Sequence, residues 1–218
     1  MRKSPDRCKI VVEQRRILSI SKLTSGERLR RKGQAQAPVG TGKRTLLGNL
    51  IIMGASAGGL HALSEILRDL STDIPAAIVV LVHMPLDFEH NLKATLERFT
   101  RIPIVPVESS EPLQQQSIFV LPPGRSASFH RGMIIVDHGS VPERPFTTTT
   151  IDRLFASAAE AYGRRVIGVV LSGLLKDGTD GLRAVHEAGV LTIVQDPAEA
   201  EYSSMPASAM NTCQSHSV

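Results

Sequence analysis

A chain of 218 residues, 42% of them hydrophobic, can bury one substantial core and falls short of two independent ones. Seventeen glycines, many Val, Ile and Leu runs and only 4% aromatic residues favour a sheet covered by helices over a ring-rich sandwich, so the expected class is α/β. No apolar run of about 18 residues exists to span a membrane or direct secretion, and Cys8 and Cys213 match no disulfide or metal-ligand spacing, which leaves a cytoplasmic protein as the expectation.

The net charge of +4 is unevenly spread. Residues 1–48 carry 13 Lys/Arg against 3 Asp/Glu, and the remainder carry 12 against 18. Residues 1–45 therefore read as a basic, disordered leader, with at most a short helix over Val11–Leu23. A basic tail on an acidic domain is no argument for nucleic-acid binding.

The folded domain is expected over residues 46–218. Leu46–Met53 ends in an apolar run followed by glycine, as a buried parallel strand does. Leu60, Leu63, Ile66, Leu67 and Leu70 then recur at helical spacing. Ala77–Val82 is a second buried strand, stopped at His83-Met84-Pro85 because proline cannot continue a central strand. A helix is expected near Glu89–Phe99 and an irregular extended segment over Ile102–Val107, where Pro103 and Pro106 interrupt pairing. Ile118–Leu121 reads as a strand, and Met133–Val136 as part of a hairpin turning at Arg131-Gly132. Ile151–Tyr162 and Gly181–Ala188 read as helices, Val166–Leu171 and Leu191–Gln195 as strands. The alternation predicts a Rossmann-like, mainly parallel sheet with helices on both faces and a small β-hairpin.

Gly54-Ala55-Ser56-Ala57-Gly58-Gly59 satisfies G-x-S-x-G between a strand and a helix, where the turn lifts a serine hydroxyl above the sheet edge. The amides of Ala57 and Gly58, at the helix N-terminus, are candidates to hold an oxyanion. The same glycines would equally suit a turn that cradles a phosphate. A serine needs a base, and among seven histidines His83 alone follows a strand at the edge where Ser56 lies. In isolation it would read as a packed structural residue. Asp177, in Leu171-Ser172-Gly173-Leu174-Leu175-Lys176-Asp177-Gly178, supplies a carboxylate at that edge, although an Asp-Gly turn or a helix cap would use it as well, with Asp180 competing for the cap. Three such groups at the ends of three parallel strands favour a serine hydrolase. The pattern lacks G-x-x-x-x-G-K-[ST], which argues against a nucleotide site.

These residues carry a family resemblance. Gly54 to Gly59, His83-Met84-Pro85, Val120-Leu121-Pro122-Pro123-Gly124, Ser172 to Gly178, Gln195-Asp196 and Met205-Pro206 resemble, in order and spacing, the catalytic domain of the chemotaxis protein-glutamate methylesterases (the CheB family), over Asn49 to Met210. The resemblance implies a nucleophile at Ser56, a general base at His83 and an orienting acid at Asp177. It places Ala57, Gly58, Met84, Leu174 and Met205 near the oxyanion or the substrate. It implies hydrolysis of γ-glutamyl methyl esters on methyl-accepting chemotaxis receptors, with possible deamidation of receptor glutamines, and no organic cofactor, metal, nucleic acid or membrane insertion. Three positions depart from the family's habit: Ala57 where a threonine often helps position the histidine, Leu174 where methionine is common, and Thr147–Thr150 where an Arg-Pro-Ser approach to the helix is usual. The C-terminus is expected to be shortened, lacking a closing helix and exposing apolar surface. The leader is too short for a phosphoacceptor receiver domain, so control in cis is not expected. A receptor-binding scaffold of the same fold, without turnover, is the alternative function.

Overall fold

Two central strands, β1 (Asn49–Ala55) and β2 (Ala76–Val82), pair in parallel from Asn49↔Ala76 to Ala55↔Val82 and are buried along almost their whole length. Both faces of these strands are covered, which is why they read as continuous apolar runs rather than alternating ones. The computed structural model describes residues 48–84, 92–139, 149–189 and 191–214. The leader, Pro85, His90 and Thr147 lie outside these residues.

After β1 come α1 (Gly59–Asp69), β2, α2 (Leu92–Leu96) and β3 (Ile104–Pro106). The chain continues through β4 (Ser110–Pro112), β5 (Ser117–Val120), β6 (Ala127–His130) and β7 (Met133–Val136). The last elements are α3 (Thr150–Tyr162), β8 (Val166–Val170), α4 (Thr179–Glu187), β9 (Thr192–Val194) and α5 (Ser204–Gln214). The main sheet runs β3-β5-β2-β1-β8-β9 with every pair parallel. A separate antiparallel sheet, β4-β7-β6, contains the expected hairpin at Arg131-Gly132.

Strand alternation divides the core in two. Ile51, Met53, Ile78 and Val80 face α1 and α2, packing on Leu63, Ile66, Leu67 and Leu96. Leu50, Ile52, Val79 and Phe119 face the other way, onto Leu154, Phe155 and Ala158 of α3, Leu182 and Val185 of α4, and Met205 and Ala209 of α5. Each such apolar side chain, once buried, contributes about 1.5–3 kcal/mol. The small sheet docks on α3: Phe129 and Tyr162 meet edge to face at 5.8 Å, and Ser157 Oγ accepts the Phe129 N–H at 2.8 Å. Those contacts set the direction of α3, and so the place of its N-terminus.

One expectation is corrected. Within the described residues the helix placed over Glu89–Phe99 spans only Leu92–Leu96. The chain also forms a helix that the sequence reading did not anticipate: α5 runs from Ser204 to Gln214 and buries Met205 and Ala209 completely. Pro206 lies in its first turn, where a missing N–H costs nothing.

Candidate active site

Parallel pairing puts the carboxyl ends of β1, β2 and β8 side by side, and each ends in a residue predicted to be functional. Ser56 follows β1; its N–H donates to Ser172 O at 3.0 Å, and its carbonyl accepts Gly59 N–H at 2.9 Å to close the turn into α1. His83 follows β2, with its N–H on Ala55 O at 2.9 Å. Asp177 lies in the loop after β8. All three are buried.

The imidazole and the carboxylate meet directly, His83 Nε2 lying 3.1 Å from Asp177 Oδ2. The same Nε2 lies 2.7 Å from Thr150 Oγ1. A carboxylate oxygen can only accept, so Nε2 carries the proton and donates to both oxygens. That leaves Nδ1 as the basic nitrogen. Among the described residues no hydrogen bond joins Ser56 Oγ to His83, and such contacts commonly form only when substrate binds.

Asp177 is gripped by backbone. Its Oδ2 accepts Ile151 N–H at 3.0 Å, and its Oδ1 accepts Asp152 N–H and Gly178 N–H, both at 2.9 Å. Two of these donors belong to the first turn of α3, so the carboxylate caps a helix distant in sequence, where the helix dipole and orphan amides favour negative charge. The capping alternative considered for Asp177 is thus combined with the pairing to His83, and it serves α3 rather than the following helix. Asp180, the competitor, is exposed and pairs with Arg183 at 3.0 Å.

Ser172 ties the site's loops together. Its N–H donates to Gln195 Oε1 at 2.7 Å, its hydroxyl donates to Ala57 O at 2.8 Å, and the hydroxyl accepts Tyr202 N–H at 3.0 Å. Gly173 allows the closest approach: a Cβ there would stand 2.9 Å from Ser56 Cβ and 2.7 Å from Met205 Sδ. Gly58 has φ +70°, and a Cβ on it would meet Glu201 and Ser172 Oγ at about 2.8 Å. Ala57 and Gly58, which follow Ser56 in the turn into α1, have N–H groups that donate to no group among the described residues. Met84 and Met205 are buried, whereas Leu174 is exposed.

Thr150 and Ser172 are the residues that single-site reading of the sequence passed over. The Thr-rich stretch was a departure from the family pattern, yet its last hydroxyl rests on the histidine. A hydroxyl for that ring is therefore present despite Ala57.

Asp152, beside the site, accepts Gly181 N–H on Oδ1 at 2.7 Å. Burial pushes its carboxyl up to about 6 from 3.8, against the pull of the Gly181 hydrogen bond, and the charges of Asp177 and Asp180 add to the rise. The folded protein then holds a proton that the unfolded chain releases, so stability falls as pH climbs from about 4 to 6. The full linkage is about 3 kcal/mol, and solvent screening of a half-exposed group reduces it to about 1 kcal/mol. Asp152→Asn, which keeps the acceptor for Gly181, is expected to stabilise the fold by about that amount at neutral pH and to give no gain near pH 4; urea melts at the two pH values check this.

Fold and site together define a class: a doubly wound parallel α/β protein with a serine, histidine and aspartate gathered at the carboxyl edge of its sheet. Residues 51–218 match the CheB methylesterase family, and the chain belongs to it. It is 35% identical over 161 residues to a putative protein-glutamate methylesterase/protein-glutamine glutaminase of Leptospira interrogans, covering 73% of this chain and 82% of that one. It is 34% identical over 149 residues to protein-glutamate methylesterase/protein-glutamine glutaminase 2 of Anaeromyxobacter dehalogenans, covering 68% of this chain and 43% of that protein. The crystal structure of the Thermotoga maritima CheB methylesterase catalytic domain superposes with a TM-score of 0.66 at 28% identity, covering 75% of this chain and 88% of that one. The chain thus spans less than half of one relative and most of another. Among the described residues no helix is long and apolar enough to cross a membrane.

Proposed function

We propose that this chain is a protein-glutamate methylesterase acting on methylated chemoreceptors, with Ser56 as nucleophile, His83 as general base and Asp177 as orienting acid. The contact of His83 Nε2 with Asp177 Oδ2 at 3.1 Å, at the sheet edge where Ser56 lies, carries the reading. The relatives are named as protein-glutamate methylesterases and protein-glutamine glutaminases, which points to glutamyl methyl esters as substrate and makes deamidation of glutamines a parallel reaction at the same site.

In the proposed reaction Ser56 Oγ attacks the side-chain carbonyl carbon of the esterified glutamate while its proton passes to His83 Nδ1. The tetrahedral oxyanion takes the N–H groups of Ala57 and Gly58 at the N-terminus of α1, which are otherwise unengaged among the described residues. Collapse expels methanol, protonated by His83, and leaves an acyl-serine. Water, deprotonated by the same imidazole, attacks that acyl group and releases glutamate and Ser56. Asp177 stabilises the imidazolium formed in each half. Methanol release from a methylated receptor cytoplasmic fragment tests the proposal; a folded chain that binds the fragment and yields no methanol would instead be the scaffold considered above.

Thr150 acts as a positioning residue, holding Nε2–H in the tautomer that leaves Nδ1 basic. Thr150→Val removes one acceptor from a nitrogen that becomes charged, a loss of about 1.5–3 kcal/mol, so kcat is expected to drop by about 10- to 100-fold with KM unchanged. Thr150→Ser restores the hydroxyl and should recover activity to within about threefold. Steady-state kinetics on the three proteins decide it: equal losses in Val and Ser variants would assign Thr150 to helix packing alone.

A further inference from the structure

Ser56, Ala57, Gly58 and Gly59 form a tight turn between β1 and α1, closed by Gly59 N–H on Ser56 O at 2.9 Å. Gly58, the third of the four, has φ 70° and ψ −11°. These are the angles of a type II turn, whose third residue sits near about +80° and 0°, whereas type I places it near about −90° and 0°. The two types differ by turning over one peptide unit, the one between the second and third residues. Here that unit is the Ala57–Gly58 peptide, and the donor it carries is Gly58 N–H. Glycine takes either sign of φ about equally well, so Gly58 permits both turns and selects neither.

A planar trans peptide points its C=O and N–H in opposite directions, so whatever holds a carbonyl also aims the next amide. Ser56 O is held by Gly59 N–H, which aims the Ala57 amide. Ala57 O is held by a side chain, because Ser172 Oγ donates to it at 2.8 Å. That hydroxyl also accepts Tyr202 N–H at 3.0 Å, and the Ser172 N–H donates to Gln195 Oε1 at 2.7 Å. Ser172 and Gln195 are each 1% exposed, which shields these bonds from water and strengthens them. We propose that the Ser172 hydroxyl is a positioning group for the reaction: by holding Ala57 O it selects the type II turn and so aims Gly58 N–H at the oxyanion. This role rests on the methylesterase reading and adds the residue that orients the oxyanion donor. With alanine at position 172, Ala57 O loses its partner and the Ala57–Gly58 peptide is free to turn over, while the bond from Gly59 to Ser56 persists in either turn. A carbonyl dipole then replaces the donor that faced the oxyanion.

Ser172→Ala is compared with the parent in two measurements. The nuclear Overhauser contact between Ala57 Hα and the Gly58 amide proton reports the turn, being strong in type II and weak in type I. Turnover of an N- and C-blocked glutamate γ-methyl ester, and of its thiono analogue with C=S in place of C=O, reports the donors, since sulfur is a weak hydrogen-bond acceptor. The variant is expected to lose most of the Overhauser contact. Its kcat on the oxygen ester should fall about 10- to 100-fold with KM unchanged, short of the ~10²- to 10³-fold loss when a donor is removed outright. The ratio of oxygen-ester to thiono-ester rates should shrink about tenfold, because both changes act on the same donor. A ratio unchanged by the substitution overturns the proposal, since a purely structural loss slows both esters alike. So does an unaltered Overhauser contact. If the alanine variant fails to fold, Ser172→Cys, which keeps the size of the side chain with a weaker donor, takes its place under the same criteria. Absence of ester turnover in the parent chain would remove the esterase reading, while the Overhauser contact still decides whether Ser172 sets the turn.

Discussion

Replacing Ser56 with alanine is expected to lower turnover of a glutamyl methyl ester on the order of 10⁴- to 10⁶-fold, with the unfolding temperature unchanged. The turn around Ser56 is held by backbone, through Ser56 N–H on Ser172 O and Gly59 N–H on Ser56 O. Neither bond involves the hydroxyl, so its removal leaves the fold intact. A methyl group fits the space that Gly173 leaves against Ser56 Cβ. The loss is large because the hydroxyl forms the covalent bond, and any residual rate comes from oxyanion stabilisation and binding. Methanol release by the parent and the variant, compared at saturating substrate, checks this, and turnover retained to within tenfold in the variant would remove Ser56 from the mechanism.

Asp177→Asn is expected to cost both activity and stability, for a reason visible in the pairing of its two oxygens. Oδ2 faces Ile151 N–H and His83 Nε2, and Oδ1 faces Asp152 N–H and Gly178 N–H. An asparagine amide must point its NH₂ at one of these pairs. Turned toward Asp152 and Gly178, it sets donor against two donors in a buried site. Turned toward Ile151 and His83, it forces Nε2 to accept, which moves the ring proton to Nδ1 and deprives Ser56 of its base. Leaving buried donors unsatisfied costs about 1–3 kcal/mol each, so a destabilisation of about 2–4 kcal/mol is expected in urea melts. The wrong tautomer alone is associated with a drop of about 10⁴-fold in kcat. A variant that lost activity without stability would show that the α3 cap contributes little; one that kept activity would overturn the role given to Asp177.

Several features that govern these outcomes could be read one residue at a time and several could not. The buried strands were legible because an apolar run of four to seven residues before a glycine or proline has few other uses, and β1 and β2 shift by only a few residues from expectation. Short edge strands such as β4, made of Ser110, Glu111 and Pro112, carry no apolar pattern and exist only because β7 offers partners. Helix α5 was missed because its apolar stripe is narrow: Met205 and Ala209 are fully buried, and the surface they cover comes from α4, β8 and β9. The cap on α3 was invisible for a related reason, since Asp177 serves donors 25 and 26 residues earlier in the chain.

By itself the sequence determined the α/β class, the family and the three residues placed at the strand ends. Each of these depends on local chemistry: apolar runs that must be buried, a small-residue turn that a serine can occupy, and residue types that serve acid, base and nucleophile. Tertiary structure alone decided the rest. It put Thr150 on a histidine 67 residues away, made Asp177 a helix cap as well as a partner for the imidazole, and tied Ser172 to Gln195, Ala57 and Tyr202. Those contacts join elements from opposite parts of the chain, and their distances follow from how α3 packs on the sheet and how the loops after β8 and β9 lie together, which no local pattern encodes.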